Sequence, residues 1–283
     1  MKLTNKEYWD SLYHQKGRAC NDNLKKSNTK ISFLKNLRQK FRGQFNDYNE
    51  YLFWDIILPQ YLSGKKEIKA LEIGSAPGDF LIKLKQAYGV IPFGVEFSES
   101  GSAYNKDLFS KYGINPDNII CGDFLTLDFQ STYKEYFDMV ISRGLIEHFT
   151  DVENIIEKHI ALLKSGGCLL ISIPNLRKIN YIFTWIFNRN ILAIHNLDIM
   201  KKEVFFTLFK KARLETRYCD YYGLFTFNLF NTAKGSFLCF FHIFLRYLQL
   251  FISPLIKLTI NNKNVKGNSW SPYLMYIGIK RSL

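Results

Sequence analysis

From Ile68 to Ile173 the chain repeats one pattern, a short β-branched and apolar run followed by a stretch with apolar residues at helical spacing. Strands are predicted at Ile68–Ile73, Val90–Glu96, Asn118–Cys121, Phe137–Ser142 and Cys168–Ile173, and helices at Asp79–Tyr88, Ser102–Tyr112 and Asp151–Leu163. Parallel neighbours need a long return connection, so strands separated by crossover helices imply a mainly parallel sheet. The fold class expected is α/β, a Rossmann-like doubly wound sheet of seven strands. Such a sheet takes its ligands beyond the carboxyl ends of its strands.

Outside that stretch the pattern changes. Asn46–Leu62 has helical spacing (Tyr48, Tyr51, Leu52, Trp54, Ile56, Ile57) and predicts a helix ahead of the first strand. After Pro174 the alternation stops for about forty residues and resumes with strands at Leu214–Tyr221 and Tyr273–Lys280. The expected organisation is a helical extension or lid at 1–62, a core at 63–223 with a cap at 176–212, an apolar helical insertion at 224–268, and a last core strand within 269–283.

Charge and cysteine content narrow the setting. The formal net charge of +13 attracts polyanions of any kind, and nine basic residues against the single acid Asp22 lie between Lys16 and Arg42. That run is either a solvated lysine-rich face or an anion-facing surface. The five cysteines (Cys20, Cys121, Cys168, Cys219, Cys239) are scattered with no C-x-x-C spacing, so neither a disulfide framework nor a zinc site is indicated, and a reducing cytoplasm fits best. Met1–Tyr13 lacks an apolar core, which predicts no secretory leader.

The chemistry is concentrated at strand ends. Leu71-Glu72-Ile73-Gly74-Ser75-Ala76-Pro77-Gly78-Asp79 closes the first strand and opens the first helix; its small residues allow a sharp turn and close approach of a ligand to the helix N-terminus. Acids end the next two strands, Glu96 in Gly94-Val95-Glu96-Phe97 and Asp123 in Cys121-Gly122-Asp123-Phe124. Together with Phe137–Phe149 and the turn Leu162-Leu163-Lys164-Ser165-Gly166-Gly167, these motifs resemble those of class I S-adenosylmethionine-dependent methyltransferases, in the expected order over Ile68–Asn175. Ala76 replaces the middle glycine of that family's loop and Pro77 is inserted into it. The resemblance implies S-adenosylmethionine as cofactor, held by Glu72, Gly74, Ser75, Ala76 and Gly78, with Glu96 on the ribose hydroxyls, Asp123 on the adenine amino group, Phe97 and Phe124 beside the ring, and Ser142 also in contact. A dinucleotide dehydrogenase shares the loop and the ribose acid but fits Asp123 less well.

Methyl transfer is an in-line displacement, so the protein aligns the nucleophile and, for a hydroxyl, assists loss of its proton. His148, after the fourth strand, is the first candidate base and His195 the second; for each, a structural hydrogen bond is the alternative role. Arg143, Tyr13 and Asn175 are the candidate acceptor contacts. The Glu147-His148 pair is similar to that of ubiquinone-pathway O-methyltransferases, in which an acid three residues earlier helps to bind a divalent ion; here that position is Gly144, and no metal is expected. Ser-Ala-Pro-Gly also resembles the loop of 2′-O-ribose RNA methyltransferases, but Arg143 and Ser172 stand where those enzymes place an aspartate and a lysine, so nucleic acid is not favoured.

Ile173-Pro174-Asn175, the aromatic stretch Tyr181, Phe183, Trp185 and Phe187, and His195-Asn196-Leu197 look like methyltransferases of bacterial surface-polysaccharide pathways, which implies a small-molecule or lipid-linked glycan acceptor. Phe237–Ile252 is almost continuously apolar but too short, and too interrupted by His242, Arg246 and Gln249, for a membrane span of about twenty residues. An interfacial helix on an anionic membrane, which would make the chain peripheral at the inner face, is one reading; a buried cap helix or a homodimer contact is the other. The expected activity is O-methylation of a sugar or lipid-linked glycan, with Tyr8, Trp9 and Tyr13 closing over the acceptor; the alternatives are a quinone- or lipid-directed methyltransferase and a non-catalytic interaction protein.

Overall fold

The computed structural model describes residues 2–13, 48–62, 67–210, 212–230, 232, 237–260 and 265–282; the basic run Lys16–Arg42 and Cys20 lie outside them. Seven strands form one sheet: β1 (Lys69–Ile73), β2 (Ile91–Glu96), β3 (Ile119–Cys121), β4 (Phe137–Arg143), β5 (Leu163–Pro174), β6 (Leu214–Tyr222) and β7 (Tyr273–Lys280), in the order β3-β2-β1-β4-β5-β7-β6. β1 to β5 run parallel and β7 is antiparallel to both its neighbours. The strand order reverses between β1 and β4, which leaves a crevice at the carboxyl ends of the parallel strands. β1, β4 and β5 are buried on both faces, as their continuous apolar runs require.

The helices are α1 (6–13), α2 (48–62), α3 (Asp79–Tyr88), α4 (Glu99–Lys111), α5 (Leu127–Thr132), α6 (Val152–Ala161), α7 (Ile179–Asn188), α8 (Lys202–Lys210) and α9 (Phe237–Ile260). The middle of α2, Leu52–Ile57, is wound as a π-helix. Two expectations shift. α4 begins three residues before its predicted start because Ser98 caps it, its hydroxyl accepting from the Gly101 N–H. The glycine turn at 164–167 lies inside β5, where the pairing with β4 slips after Leu163↔Phe137.

The region expected to be a cap divides in two. α8 buries Phe205 and Phe209 against the sheet, with Phe209 stacked on Tyr276 of β7, so it is the crossover helix from β5 to β6 and part of the core. The rest, 176–197, contains α7, which packs through Phe183 and Phe187 on Phe225, Phe227, Phe230 and His242, and brings His195 to the strand ends.

α9 is longer than the sequence suggested, 24 residues with Pro254 inside it, and is long and apolar enough to cross a membrane by length and composition. Its polar residues face the protein. His242 Nε2 meets the Phe227 carbonyl at 2.7 Å, Arg246 Nε donates to Asn228 Oδ1 at 2.6 Å, and Gln249 accepts from the Phe227 N–H and donates to the Phe225 carbonyl. Its large apolar residues face outward: Phe237, Phe240, Phe244, Phe251, Leu255 and Leu258 are all exposed. The helix is amphipathic in the inverse sense to a surface helix of a water-soluble protein. The interruptions that argued against a membrane span are the stripe that fastens the helix to the protein.

Candidate active site

Two cavities lie at the carboxyl ends of the parallel strands and share a wall. The first, about 250 Å³, is lined by Gly74 and Ala76 after β1, Glu96 and Phe97 after β2, Gly122 to Phe124 after β3, and Arg143 to Leu145 with His148 and Phe149 after β4. The second, about 550 Å³, is lined by Asn49, Glu50 and Phe53 of α2, Glu147 and His148, Ser172 to Pro174 of β5, His195, Tyr222, Asn228, Arg246 of α9 and Tyr273. Arg143, Gly144 and His148 face both.

The turn after β1 follows from its residue types. Gly74 and Gly78 have φ of +75° and +95°, where a side chain is strained, and Ala76–Pro77 is a cis bond. A Cβ on Gly78 would stand 2.1 Å from Asn105 Oδ1, and Asn105 Nδ2 donates to Ser75 Oγ at 2.8 Å, locking the loop to α4. Glu96, almost wholly buried, accepts the Ala76 N–H on Oε2 at 3.1 Å and the Ser98 N–H on Oε1 at 2.9 Å. Burial holds its pKa above the usual carboxylate value. Each oxygen keeps a lone pair, so the group is set to accept two further donors.

At the neighbouring strand end Asp123 accepts the Leu125 N–H on Oδ1 and pairs through Oδ2 with Lys2 Nζ at 2.6 Å, and that ammonium stands 3.8 Å over the Phe97 ring. The N-terminal segment is fastened at several points. Leu3 N–H donates to the His148 carbonyl, Asp10 Oδ1 accepts from Ser98 Oγ at 2.6 Å, and Tyr13 Oη donates to the Ala76 carbonyl at 3.0 Å.

β4 ends in the wall between the cavities. Arg143 lies 3.8 Å over the Phe80 ring and donates from Nε to Glu72 Oε1 at 3.3 Å. Burial raises the Glu72 pKa to about 7 against that pairing. His148 Nδ1 faces the Ile194 carbonyl at 2.9 Å and His195 Nδ1 the Ile191 carbonyl at 2.7 Å. A carbonyl only accepts, so each Nδ1 carries the proton and each Nε2 a lone pair. The rings lie 4.4 Å apart, centroid to centroid, and burial depresses the pKa of both, that of His148 to about 4. Glu147, without exposed surface, is held up at about 8 by burial.

A family model for the methyltransferase domain matches residues 45–215. The chain belongs to that family. Solved structures agree on the fold: a SAM-dependent methyltransferase from Archaeoglobus fulgidus (15% identity, TM-score 0.52, 89% of this chain and 100% of that one), the MccD protein (16%, 0.55, 82% and 97%) and the [4+2]-cyclase SpnF (12%, 0.51, 80% and 79%). At such identities the likeness carries the fold alone, that of the class I SAM-dependent enzymes. No curated protein matches the sequence.

Within this methyltransferase the strand-end residues named from sequence fall into three groups. Gly74, Ala76, Glu96, Phe97, Asp123 and Phe124 line the first cavity, and His148 and Arg143 line both. Glu72, Ser75, Gly78 and Ser142 line neither: Glu72 is turned to Arg143, Ser75 to Asn105, Gly78 closes the loop against Asn105, and Ser142 is wholly buried within β4. Asn175 does not face an acceptor: it is wholly buried, its Nδ2 donating to the Ser271 and Asn268 carbonyls. Of the three aromatics expected to close over the acceptor, Trp9 and Tyr13 line the first cavity and Tyr8 lines neither. Sequence reasoning missed Asn49, Phe53, Tyr222, Asn228 and Arg246; the one available signal was Asn49, a polar residue within the apolar spacing of α2.

Proposed function

We propose that the chain transfers a methyl group from S-adenosylmethionine to a hydroxyl of a sugar or lipid-linked glycan. The observation that carries the reading is the shared wall: a cavity of cofactor type at Glu96 and Asp123 backs onto a larger one, and His148 faces both. The donor set fits the cofactor. A carboxylate with one lone pair free on each oxygen suits the two hydroxyls of a ribose, and Asp123 with Phe97 suits an adenine. Gly74 and Gly78 let the loop backbone approach the methionine part. When bound, the cofactor supplies a methyl group on a sulfonium, an electrophile that needs no activation by the protein.

The chain's own residues align the acceptor and assist its ionisation. Glu50, Asn228 and Arg246 line the second cavity with groups that can hydrogen-bond a glycan, Asn49 anchors its wall to the Leu224 main chain, and the stacked pair Tyr222 and Tyr273 adds an aromatic surface. His148 is neutral at physiological pH with Nε2 open, and through it the acceptor hydroxyl loses its proton.

The case for a lipid-borne acceptor is α9. Arg246 on its inner side is part of the acceptor cavity while its outer side is apolar, so a membrane meeting that side would lie next to the cavity. Charge agrees: Tyr221–Leu283 contains no Asp or Glu and seven Lys or Arg, and 174–197, which carries exposed Ile182 and Trp185 of α7, contains none of the former and three of the latter. Apolar surface on stretches of chain that carry cations and no acids suits an anionic leaflet.

Calorimetry with S-adenosylhomocysteine and turnover on vesicle-borne glycan test the reading together. Glu96→Ala should weaken the cofactor analogue, whereas His148→Ala should keep it and lose transfer. Uptake unaltered in the first variant, or transfer unaltered in the second, removes that residue from the mechanism.

A further inference from the structure

Glu147 has no exposed surface, and neither of its carboxylate oxygens has a hydrogen-bond partner. A carboxylate stripped of water with nothing in exchange is unfavourable, and such groups in folded proteins are paired or bind metal. Its neighbours are two imidazoles: one donor atom each from Glu147, His148 and His195 lie within 4.8 Å of one another. Both histidines spend Nδ1–H on main-chain carbonyls, of Ile194 and Ile191, which leaves both Nε2 lone pairs without a proton and fixes the ring orientations. That is how proteins hold metal-binding histidines, with the far nitrogen donating to a carbonyl.

The surroundings leave room on one side only. Gly144, at φ +68°, has no side chain where a Cβ would stand 3.5 Å from Glu147 Oε1, and Glu147, His148 and His195 all line the larger cavity. We propose that Glu147, His148 and His195 bind one divalent transition-metal ion whose remaining coordination positions open into that cavity. Two imidazoles and one carboxylate suit Mn²⁺, Fe²⁺, Co²⁺ or Zn²⁺ better than Mg²⁺ or Ca²⁺, which prefer oxygen ligands throughout.

The role of the ion rests on the reading of that cavity as the acceptor's. A sugar hydroxyl that enters the coordination sphere becomes more acidic, and its proton passes to water in the cavity. His148 then assists as a ligand, its lone pair committed to the ion. His195 lies in the segment 190–197 that follows α7, so the acceptor-side loop is tied to the end of β4 through the metal.

The test uses the full-length chain, stripped with EDTA and desalted. Calorimetric titration with Zn²⁺ and Mn²⁺, metal analysis after gel filtration, and visible spectra with Co²⁺ should give one ion per chain and the bands of nitrogen-ligated cobalt. Glu147→Gln and His195→Gln should each weaken uptake by at least about tenfold, with melting temperature and S-adenosylhomocysteine uptake reporting that each variant is folded. No uptake by the native chain, or equal uptake by native chain and both folded variants, overturns the site. Uptake of the cofactor analogue without metal leaves the transferase reading standing; metal uptake without the analogue does the reverse.

Discussion

The outer side of α9 offers the sharpest test of where the protein works. Phe240, Phe244 and Phe251 lie on one helical line and are 68%, 60% and 72% exposed. Burying a phenylalanine side chain completely is worth about 1.5–3 kcal/mol, so two-thirds of that from each residue gives roughly 3–6 kcal/mol for the three. At about 1.4 kcal/mol per decade, replacing all three by serine should cut binding to vesicles by roughly 100- to 10,000-fold. Co-sedimentation with anionic-lipid vesicles measures this, and neutral vesicles should bind more weakly because each cation near the surface adds about 1 kcal/mol. The inner stripe of His242, Arg246 and Gln249 is untouched, so the melting temperature should hold. Native protein that ignores vesicles, or a triple variant that binds as well as native, refutes the reasoning. A native dimer that the substitutions dissociate would show that a second copy covers the helix.

Three further outcomes are expected. Gly78→Ala imposes a Cβ at φ +95° and 2.1 Å from Asn105 Oδ1, and should cost about 2–4 kcal/mol, a fall of roughly 5–15 °C in thermal melting; a melt unchanged from native would mean that the loop relaxes freely. In metal-free buffer, stability should decline between pH 7 and 8 by about 1 kcal/mol. Glu147, with a folded pKa of about 8 above its unfolded value, keeps a proton that the unfolded chain has released; that stabilisation is complete at low pH and disappears as pH rises through 8. Burial keeps His148, His159 and His195 neutral in the folded protein over this window, and Glu72, held at about 7, adds a smaller decline, so Glu147→Gln should flatten most of the slope in denaturant titrations; an unchanged slope assigns it elsewhere. Lys2→Ala removes the ammonium that pairs with Asp123 and covers Phe97, and should tighten S-adenosylhomocysteine binding by up to about fivefold, the scale of a half-exposed ion pair; weaker binding would instead give Lys2 a part in holding the cofactor.

The cofactor side was legible because local chain geometry builds it. Glu96 is the last residue of β2 and Asp123 lies two residues past β3, strands that hydrophobic patterning reveals, and Gly74 and Gly78 occupy the positive-φ positions of a tight strand-to-helix turn. What was lost there followed from tertiary contacts: Ser75 turns its hydroxyl to Asn105 of α4 and Ser142 is wholly buried within β4, so neither lines a cavity. α8 went unread because Lys202 to Lys210 is short, with Phe206 exposed on its outer side, and only Phe205 and Phe209 report its docking on β7. α9 was misjudged for a related reason. Polar residues every three or four positions in an apolar run read as interruptions until their partners, the backbone groups of Phe225 and Phe227, are seen.

The acceptor side obeys a different rule. Its walls come from α2, the end of β4, β5, the segment after α7, β6, the loop before α9, α9 itself and the start of β7, and five of these eight contribute a single residue with no motif of its own. Two of those contributors are insertions relative to a plain alternation of strands and helices. The sheet and its glycine turn can therefore stay constant while α7 and α9 change what enters the second cavity, and the wall from Arg143 to His148 is where the constant and variable halves meet. That position explains why the same few residues carry so many demands. Gly144 must leave space, Arg143 must hold Glu72 on one side while facing the second cavity on the other, and His148 must keep Nε2 free of a proton with its Nδ1 fixed to Ile194. A substitution of Arg143 or Gly144 should act on both cavities, whereas one in α9 should act on the second alone.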